Sequence, residues 1–167
     1  MAFTKEYTAT LTLSLDSVRK TERAQRVIYD SGLVSPNQNT LATGLSYSAS
    51  ILGIVFFLST PASLAAGVVS LVSSLVENDK AVLQSMVYSG YWNLGYLEDF
   101  LVDNPNYDLI EVTLPFIEYE TKGVRFITGK GVVNRVHSTS GGWTLLILDN
   151  KRTLSKRVSS CYLISNF

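Results

Sequence analysis

Cysteine and histidine are almost absent from this sequence, and their scarcity excludes several kinds of chemistry. Cys161 is the only cysteine, so the chain can form neither an intrachain disulfide nor a cysteine-based metal cluster. His137 is the only histidine, so a catalytic triad, an ordinary zinc site or a histidine relay would each depend on one side chain. Nothing in the spacing brings Cys161 and His137 together as nucleophile and base. We therefore expect no catalytic residues, no cofactor and no metal site.

Three further motifs favour structural roles. Gly129-Lys130-Gly131 resembles a fragment of a phosphate-binding loop, but it lacks the longer glycine spacing and a following serine or threonine, so it predicts a turn between strands. The acidic residues Glu98, Asp99, Asp103 and Asp108 lack the regular ligand alternation of a calcium loop and indicate a solvated helix end. His137 is expected to be exposed or to line a turn.

Charged residues are also few, at 17% against about 25% in ordinary domains, and they are unevenly placed. Residues 77–121 hold nine acids and one lysine, whereas residues 122–167 hold eight bases and one acid. The two blocks either lie against each other or leave a basic face for an anionic partner, such as a lipid surface or cell-wall polymer. Nucleic acid is disfavoured, because no stacking motif of a known sheet platform appears. The anionic-surface candidates are Lys130, Arg135, Lys151, Arg152, Lys156 and Arg157.

No charged residue occurs in the 46 residues from Ser31 to Val76. Within this run, Leu41 to Val76 predicts an apolar helical hairpin, broken once at Pro61, where a new helix can begin. Each arm is roughly 15 to 20 residues, at or slightly below the length needed to cross a bilayer core, so length alone leaves insertion open. A surface helix of a soluble monomer normally has a charged or polar stripe. The membrane-insertion candidates are Leu52, Val55, Phe56, Phe57, Leu58, Pro61, Leu64, Val68, Val69, Leu71 and Val72.

The remaining periodicities predict one α+β domain over residues 1–167. Alternation from Tyr7 to Leu15 indicates a strand with threonines on its solvent-exposed face. A short helix follows to about Tyr29, and its thin apolar stripe predicts a position on the surface. Residues 77–103 predict an amphipathic helix, and residues 107–167 a basic β region with Pro115 at an edge or bulge. The strands are expected at 110–116, 124–128, 132–137, 143–148 and 158–164, with turns at 141–142 and 149–150. The hairpin and the amphipathic helix would pack on a mainly antiparallel sheet of the N-terminal and C-terminal strands.

The layout of Leu41 to Val102 resembles that of pore-forming toxins and bacteriocins, in which a hydrophobic hairpin is shielded in water and released at a membrane. The resemblance is architectural and includes no diagnostic motif. It implies a membrane-active protein, with a lipid bilayer or anionic cell surface as its target and an immunity protein as a further partner. Residues 1–6 lack the layout of a secretory signal, so the expected location is secreted without a classical leader, unless a leader was removed, or membrane-associated. A cytoplasmic location stays open.

The main alternative is a structural or assembly subunit, from a phage-like particle or a homo-oligomer, with the hairpin buried at subunit contacts. This alternative predicts a stable oligomer in detergent-free buffer and no affinity for lipid. The aromatic residues Tyr88, Tyr91, Trp92 and Tyr96 leave the same choice open, because such rings serve either as membrane-interface anchors or in ordinary packing.

Overall fold

The described part of the chain begins with the strand that alternating threonines predict. The structure, a computed structural model, describes residues 4–146. Strand β1 (Thr4–Ser14) exposes its threonines and buries Leu13 on the opposite face. It pairs antiparallel over its whole length with β2 (Tyr107–Tyr119). The N-terminal strand is thus joined to the second half of the chain by a continuous hydrogen-bonded ladder.

Strand β2 is the centre of the five-stranded sheet that residues 4–146 form. Its second edge pairs with β3 (Val124–Ile127) and with β4 (Val132–Ser138), both antiparallel, and β5 (Trp143–Leu145) extends the sheet beyond β4. The predicted glycine turn between the last two strands is confirmed by positive φ angles of 98° and 99° at Gly141 and Gly142. The α+β class is confirmed, since helices pack against this sheet. The expected strand at 158–164 and the turn at 149–150 lie outside the described residues.

Pro115 lies in the central strand rather than at an edge, which corrects part of the prediction. It occupies the position where β2 changes partner, because pairing with β4 reaches Thr113 and pairing with β3 starts at Phe116. The Thr128 amide donates to the Pro115 carbonyl at 3.0 Å. Because the N–H and C=O of one strand residue point to the same side, the missing N–H of Pro115 faces this junction and interrupts no ladder.

Helix α1 (Leu15–Ile28) is packed more deeply than its thin apolar stripe suggests. Ser14 caps it by accepting a hydrogen bond from the Ser17 amide at 3.2 Å, and a π-helical turn (Tyr29–Val34) continues it. Two polar residues, Thr21 and Gln25, are fully buried beside its apolar side chains. The helix does expose one face, at Asp16, Arg19, Arg23 and Arg26, but its buried face is wider than the apolar stripe because it includes these polar residues.

Gln25 connects α1 to β3 and to α5 (Glu77–Asp103), the amphipathic helix predicted for this segment. Its Oε1 accepts from the Ile127 amide at 3.2 Å, and its Nε2 donates to the carbonyls of Ile127 and Val87. Gly90 permits this approach: a Cβ added there would lie 2.0 Å from the Ile127 oxygen and 2.2 Å from the Gln25 Nε2. Any side chain at position 90 would separate α5 from the other two elements.

The apolar segment forms a hairpin-like arrangement, although its first arm is not one continuous helix. Helix α2 (Gln38–Leu45) passes through a 3-10 turn (Ser46–Ser48) into α3 (Ala49–Phe56), and α2 packs against α4 (Pro61–Ser74). The buried Ser48 hydroxyl donates to the Lys20 carbonyl at 2.7 Å, which ties the 3-10 turn to α1. Pro61 occupies the first turn of α4, as predicted.

Replacement of Gly90 by alanine tests the close contact between α5 and β3. We expect Gly90→Ala to lower the free energy of unfolding by about 2–4 kcal/mol, because the new methyl must displace the Gln25 amide or the Ile127 carbonyl. Gly95→Ala is the matched control on the same helix, since a Cβ at Gly95 meets nothing within 4 Å. The control should gain up to about 1 kcal/mol from helix propensity. Urea denaturation of both variants measures the difference, and equal stabilities would contradict it.

Candidate functional site

The hairpin contains the residues that the sequence marks for membrane insertion, and most of them form the core. Leu52, Val55 and Phe56 of α3 are buried, as are Leu64, Val68, Leu71 and Val72 of α4. Leu58, Pro61 and Val69 are half-buried, and Phe57 is 46% exposed. In the folded chain the candidates therefore pack against protein, and only Phe57 presents a large apolar surface to solvent.

The side of the hairpin that faces solvent is uncharged as well. We call it the outer face, and its exposed residues include Tyr47, Ser50, Gly53, Ile54, Phe57, Ser70 and Ser73. Tyr47 and Ile54 are each 55% exposed. Serine and glycine supply most of the rest, so the outer face is weakly polar rather than strongly apolar. It can contact either water or a partner surface without the cost of burying a charge.

One stretch of the described residues has the length and composition of a membrane span. It covers Gln38–Phe56, 19 residues with a mean hydropathy of 1.2 in its best window, of which 39% is buried. The core helix of a soluble protein passes the same test. The second arm, Pro61–Ser74, is shorter at 14 residues.

Arg125 holds the end of the first arm in place. Its side chain is almost completely buried in β3, at 5% exposure. Nη2 donates to the Ile54 carbonyl and Nε to the Val55 carbonyl, each at 2.7 Å. These carbonyls belong to the last turn of α3, where a cation interacts favourably with the helix dipole. The guanidinium thus acts as a C-terminal cap supplied by the sheet.

The same guanidinium contacts three aromatic rings. Its central carbon lies 3.9 Å from the ring centre of Phe57 and 4.2 Å from that of Phe116, and Nη1 donates to the Tyr7 hydroxyl at 3.0 Å. Phe57 ends α3 in the left-handed region, with φ at 70°, a conformation unfavourable for a bulky residue. Cation–π contact with Arg125 helps to offset that strain.

The Arg125 cluster also affects the ionisation of Tyr7. Burial raises the pKa of the Tyr7 hydroxyl, while the hydrogen bond and the positive charge of Arg125 act in the opposite direction.

The second arm of the hairpin is also held by a basic residue, because the Lys122 ammonium donates to the Ser70 hydroxyl of α4 at 2.8 Å. Both arms are therefore held by basic residues that precede or lie within β3.

Of the two basic-surface candidates that the structure describes, Arg135 is paired with an acid and Lys130 forms no ion pair within residues 4–146. Arg135 forms an ion pair with Glu111 at 2.6 Å, and its guanidinium stacks on Trp143 at 4.6 Å. Lys130 is half-buried in the turn between β3 and β4, where the sequence predicted a turn. Residues 151, 152, 156 and 157 lie outside the described range. Arg135 therefore does not present a free cation for an anionic surface.

His137 lies on the solvent side of β4. Its Nδ1 is 2.6 Å from a carboxylate oxygen of Asp108, and its ring meets Trp143 edge-on at 5.2 Å. The hydrogen bond to His137 lowers the pKa of the Asp108 carboxyl. Together with Arg135 and Glu111, this pair joins the acidic middle of the chain to its basic end, so part of the charge separation serves internal pairing.

No metal-binding cluster is found over residues 4–146. The acidic residue Glu98 instead accepts from Arg19 of α1 at 2.7 Å. Cys161 lies outside the described range, so its position relative to His137 is not described.

The aromatic residues predicted on α5 lie beside α1, with Tyr88, Trp92 and Tyr96 more than a third exposed.

Sequence reasoning missed Arg125 and Gln25, two buried polar side chains that connect helices to the sheet. Arg125 is one of the eight bases of residues 122–167, yet every residue of β3 is buried. A single cation within the short apolar run Val124 to Ile127 was the available signal.

Comparison of the chain with protein families, curated proteins and solved structures finds no match.

Loss of the Arg125 cap should destabilise the fold. In Arg125→Met the carbonyls of Ile54 and Val55 lose their donors, so we expect the free energy of unfolding to fall by about 3 kcal/mol. Arg135→Met is the control, because its half-exposed ion pair with Glu111 contributes about 1 kcal/mol or less. Thermal and urea unfolding compare the two variants. If Arg125→Met lowers the free energy of unfolding no more than Arg135→Met does, Arg125 does not stabilise the fold as a helix cap.

Proposed function

We propose that this chain is a membrane-active protein, of the kind that includes antibacterial toxins and bacteriocins, whose apolar hairpin leaves its seat in the core and enters a lipid bilayer. The observation that carries the proposal is the absence of charge from Ser31 to Val76, on the outer face as well as on the buried face. A core helix needs an apolar inner side only. An uncharged outer side serves a segment that must lose contact with water altogether.

The energetics of transfer are compatible with such a change. Buried apolar surface contributes about 25 cal/mol per Å², and lipid can replace the protein core in that role. Helices keep their backbone hydrogen bonds when they move into lipid, because all of these bonds lie within the segment. The first-arm span Gln38–Phe56 has the required length, and α4 at 14 residues would need to be extended or to lie partly in the interface.

Release of the hairpin would break a small set of polar contacts. The Arg125 bonds to the last turn of α3 and the Lys122 bond to Ser70 are the main ones between the hairpin and the β3 region. Both donors are cations that remain with the sheet. Anionic lipid phosphates could replace the hairpin as their acceptors, which couples hairpin release to a negatively charged surface.

A disulfide between α4 and β3 tests the proposed release directly. A Cβ added at Gly67 would lie 2.9 Å from Cγ1 of Val124, which puts the two Cβ atoms within about 4.5 Å, inside the range of a disulfide. We expect the double variant Gly67→Cys and Val124→Cys, in a Cys161→Ser background, to release little dye from liposomes with anionic lipid when oxidised. Reduction of the same sample should restore release to the level of the Cys161→Ser parent.

The two single-cysteine variants are the controls, and both should release dye with or without reductant. Circular dichroism before and after reduction shows whether the fold is retained. Equal release by the oxidised and reduced double variant would exclude hairpin movement. Absence of release by the parent at every pH and lipid composition would exclude the membrane-active function itself.

The outer face also supports the assembly alternative. Tyr47, Ile54 and Phe57 are exposed on or beside α3 and carry no charge, so a neighbouring copy could cover them without any release of the hairpin. Light scattering in plain buffer distinguishes the two functions. A soluble monomer that permeabilises anionic liposomes supports membrane activity, whereas a defined oligomer without lipid affinity supports assembly.

A further inference from the structure

A groove with aromatic and acidic side chains lies between α1 and α5, on helices separate from the hairpin. Its volume is about 320 Å³, within the range of small-ligand sites. Glu22 and Arg26 line it from α1, and Tyr91, Trp92, Gly95, Tyr96 and Asp99 line it from α5. None of these residues belongs to the proposed membrane-inserting segment.

The aromatic wall is held in shape by contacts among its own rings. Tyr88 stacks on Trp92 with ring centres 6.1 Å apart and an interplanar angle of 11°. The Trp92 indole donates to the Tyr96 hydroxyl at 3.3 Å. The rings of Tyr29 and Tyr88 both pack against the ring of Tyr91, with ring centres 5.9 Å and 5.0 Å away. Trp92 nevertheless remains 55% exposed, so its indole is available to a ligand.

Gly95 opens the floor of the groove. Glycine is the least favourable helix residue apart from proline, and this one lies inside a 27-residue helix. Packing does not explain it, since a Cβ at this position would meet nothing within 4 Å, in contrast to Gly90 one and a half turns earlier. A side chain at position 95 would occupy the space between the aromatic wall and α1.

The charge at the groove is negative. Glu22 and Asp99 each contribute a carboxylate, and across residues 4–146 neither forms a hydrogen bond or ion pair with a side chain. Burial raises the pKa of the Glu22 carboxyl, with the nearby Arg26 charge acting against it. Among the described residues Arg26 is the one cation that lines the groove, and Asp30 lies 3.9 Å from it. The charge of Arg23, which is not a lining residue, also acts on the Glu22 carboxyl, and Glu98 opposes it.

We infer that this groove binds an alkylammonium group, the cation presented by choline and by methylated lysine. Aromatic faces attract such cations through their quadrupoles, and a partly desolvated carboxylate supplies the opposing charge. An anionic ligand would meet two carboxylates and one arginine that already has a carboxylate neighbour. A purely apolar ligand would leave the Glu22 carboxylate without a partner.

Trp92 fluorescence provides the binding signal. Trp143, the second tryptophan, lies on the sheet, so a Trp143→Phe background isolates Trp92. We expect choline to change its emission saturably. The neutral carbon analogue of choline, in which carbon replaces the nitrogen, should bind about tenfold more weakly, because it lacks the charge that the rings and carboxylates attract. Acetate should not bind.

Three substitutions identify the groove as the site. Gly95→Leu fills it and should abolish choline binding, and Glu22→Gln should weaken binding about tenfold, which corresponds to about 1.4 kcal/mol. Ser85→Leu is the matched control, because it adds the same side chain at an exposed position of the same helix, outside the groove. It should bind choline as the parent does. Thermal unfolding of each variant confirms that the fold persists.

The outcomes separate this inference from the membrane proposal. Equal affinity for choline and its neutral analogue would contradict binding of an alkylammonium cation, as would binding of acetate in place of choline. Unchanged choline binding in Gly95→Leu would contradict the groove as its site. Phosphatidylcholine vesicles and a trimethyllysine peptide then distinguish a lipid headgroup from a protein modification as the source of the ammonium. Competition with free choline by the vesicles would identify a lipid headgroup as the source, and competition by the peptide alone would identify a protein modification. Dye release by the hairpin does not enter any of these measurements.

Discussion

The position of the hairpin on the sheet depends on the hydrogen bonds of the Arg125 guanidinium. An arginine in an otherwise apolar, buried strand is costly unless its donors are satisfied, and the last turn of α3 supplies the carbonyls that satisfy them. The helix end in turn needs donors for those carbonyls. Each group therefore compensates for the other, and the left-handed Phe57 ends the helix where its ring can cover the cation. The sheet and the hairpin are coupled by polar bonds within an apolar core.

A second buried polar side chain, Gln25, connects helices α1 and α5 to strand β3. Gln25 satisfies both backbone groups of Ile127 and also reaches α5, so one amide fixes the relative positions of two helices and a strand. Apolar packing alone tolerates small sliding movements, whereas hydrogen bonds with fixed geometry specify one arrangement. The proposed ammonium groove lies on the same two helices, and its width therefore depends on that contact. A rigid groove loses less entropy on binding a small cation than one that must first be ordered.

Periodicity predicted the elements with one exposed and one buried face, because such faces leave a repeat in the sequence. The β1 alternation and the amphipathic α5 are examples, whereas the turn before β5 was predicted by its two glycines. Positions that depend on tertiary partners left no such repeat. In the sequence Arg125 is one of eight bases in the last 46 residues, and Gln25 is one of several polar residues on a helix with a thin apolar stripe. The aromatic residues of α5 were noted from the sequence, but their groove needs Glu22 and Arg26 of α1, which no spacing rule brings near them.

The pairing of β1 with β2 has a consequence for the order in which the chain folds. Thr10 and Thr113 face each other across the sheet although 103 positions separate them. During synthesis the first strand must wait for its partner until the whole hairpin and α5 have emerged from the ribosome. Contacts between distant parts of a chain form slowly, and exposed apolar segments aggregate in the meantime. The nascent chain therefore presents its uncharged hairpin before the ladder between β1 and β2 exists to receive it.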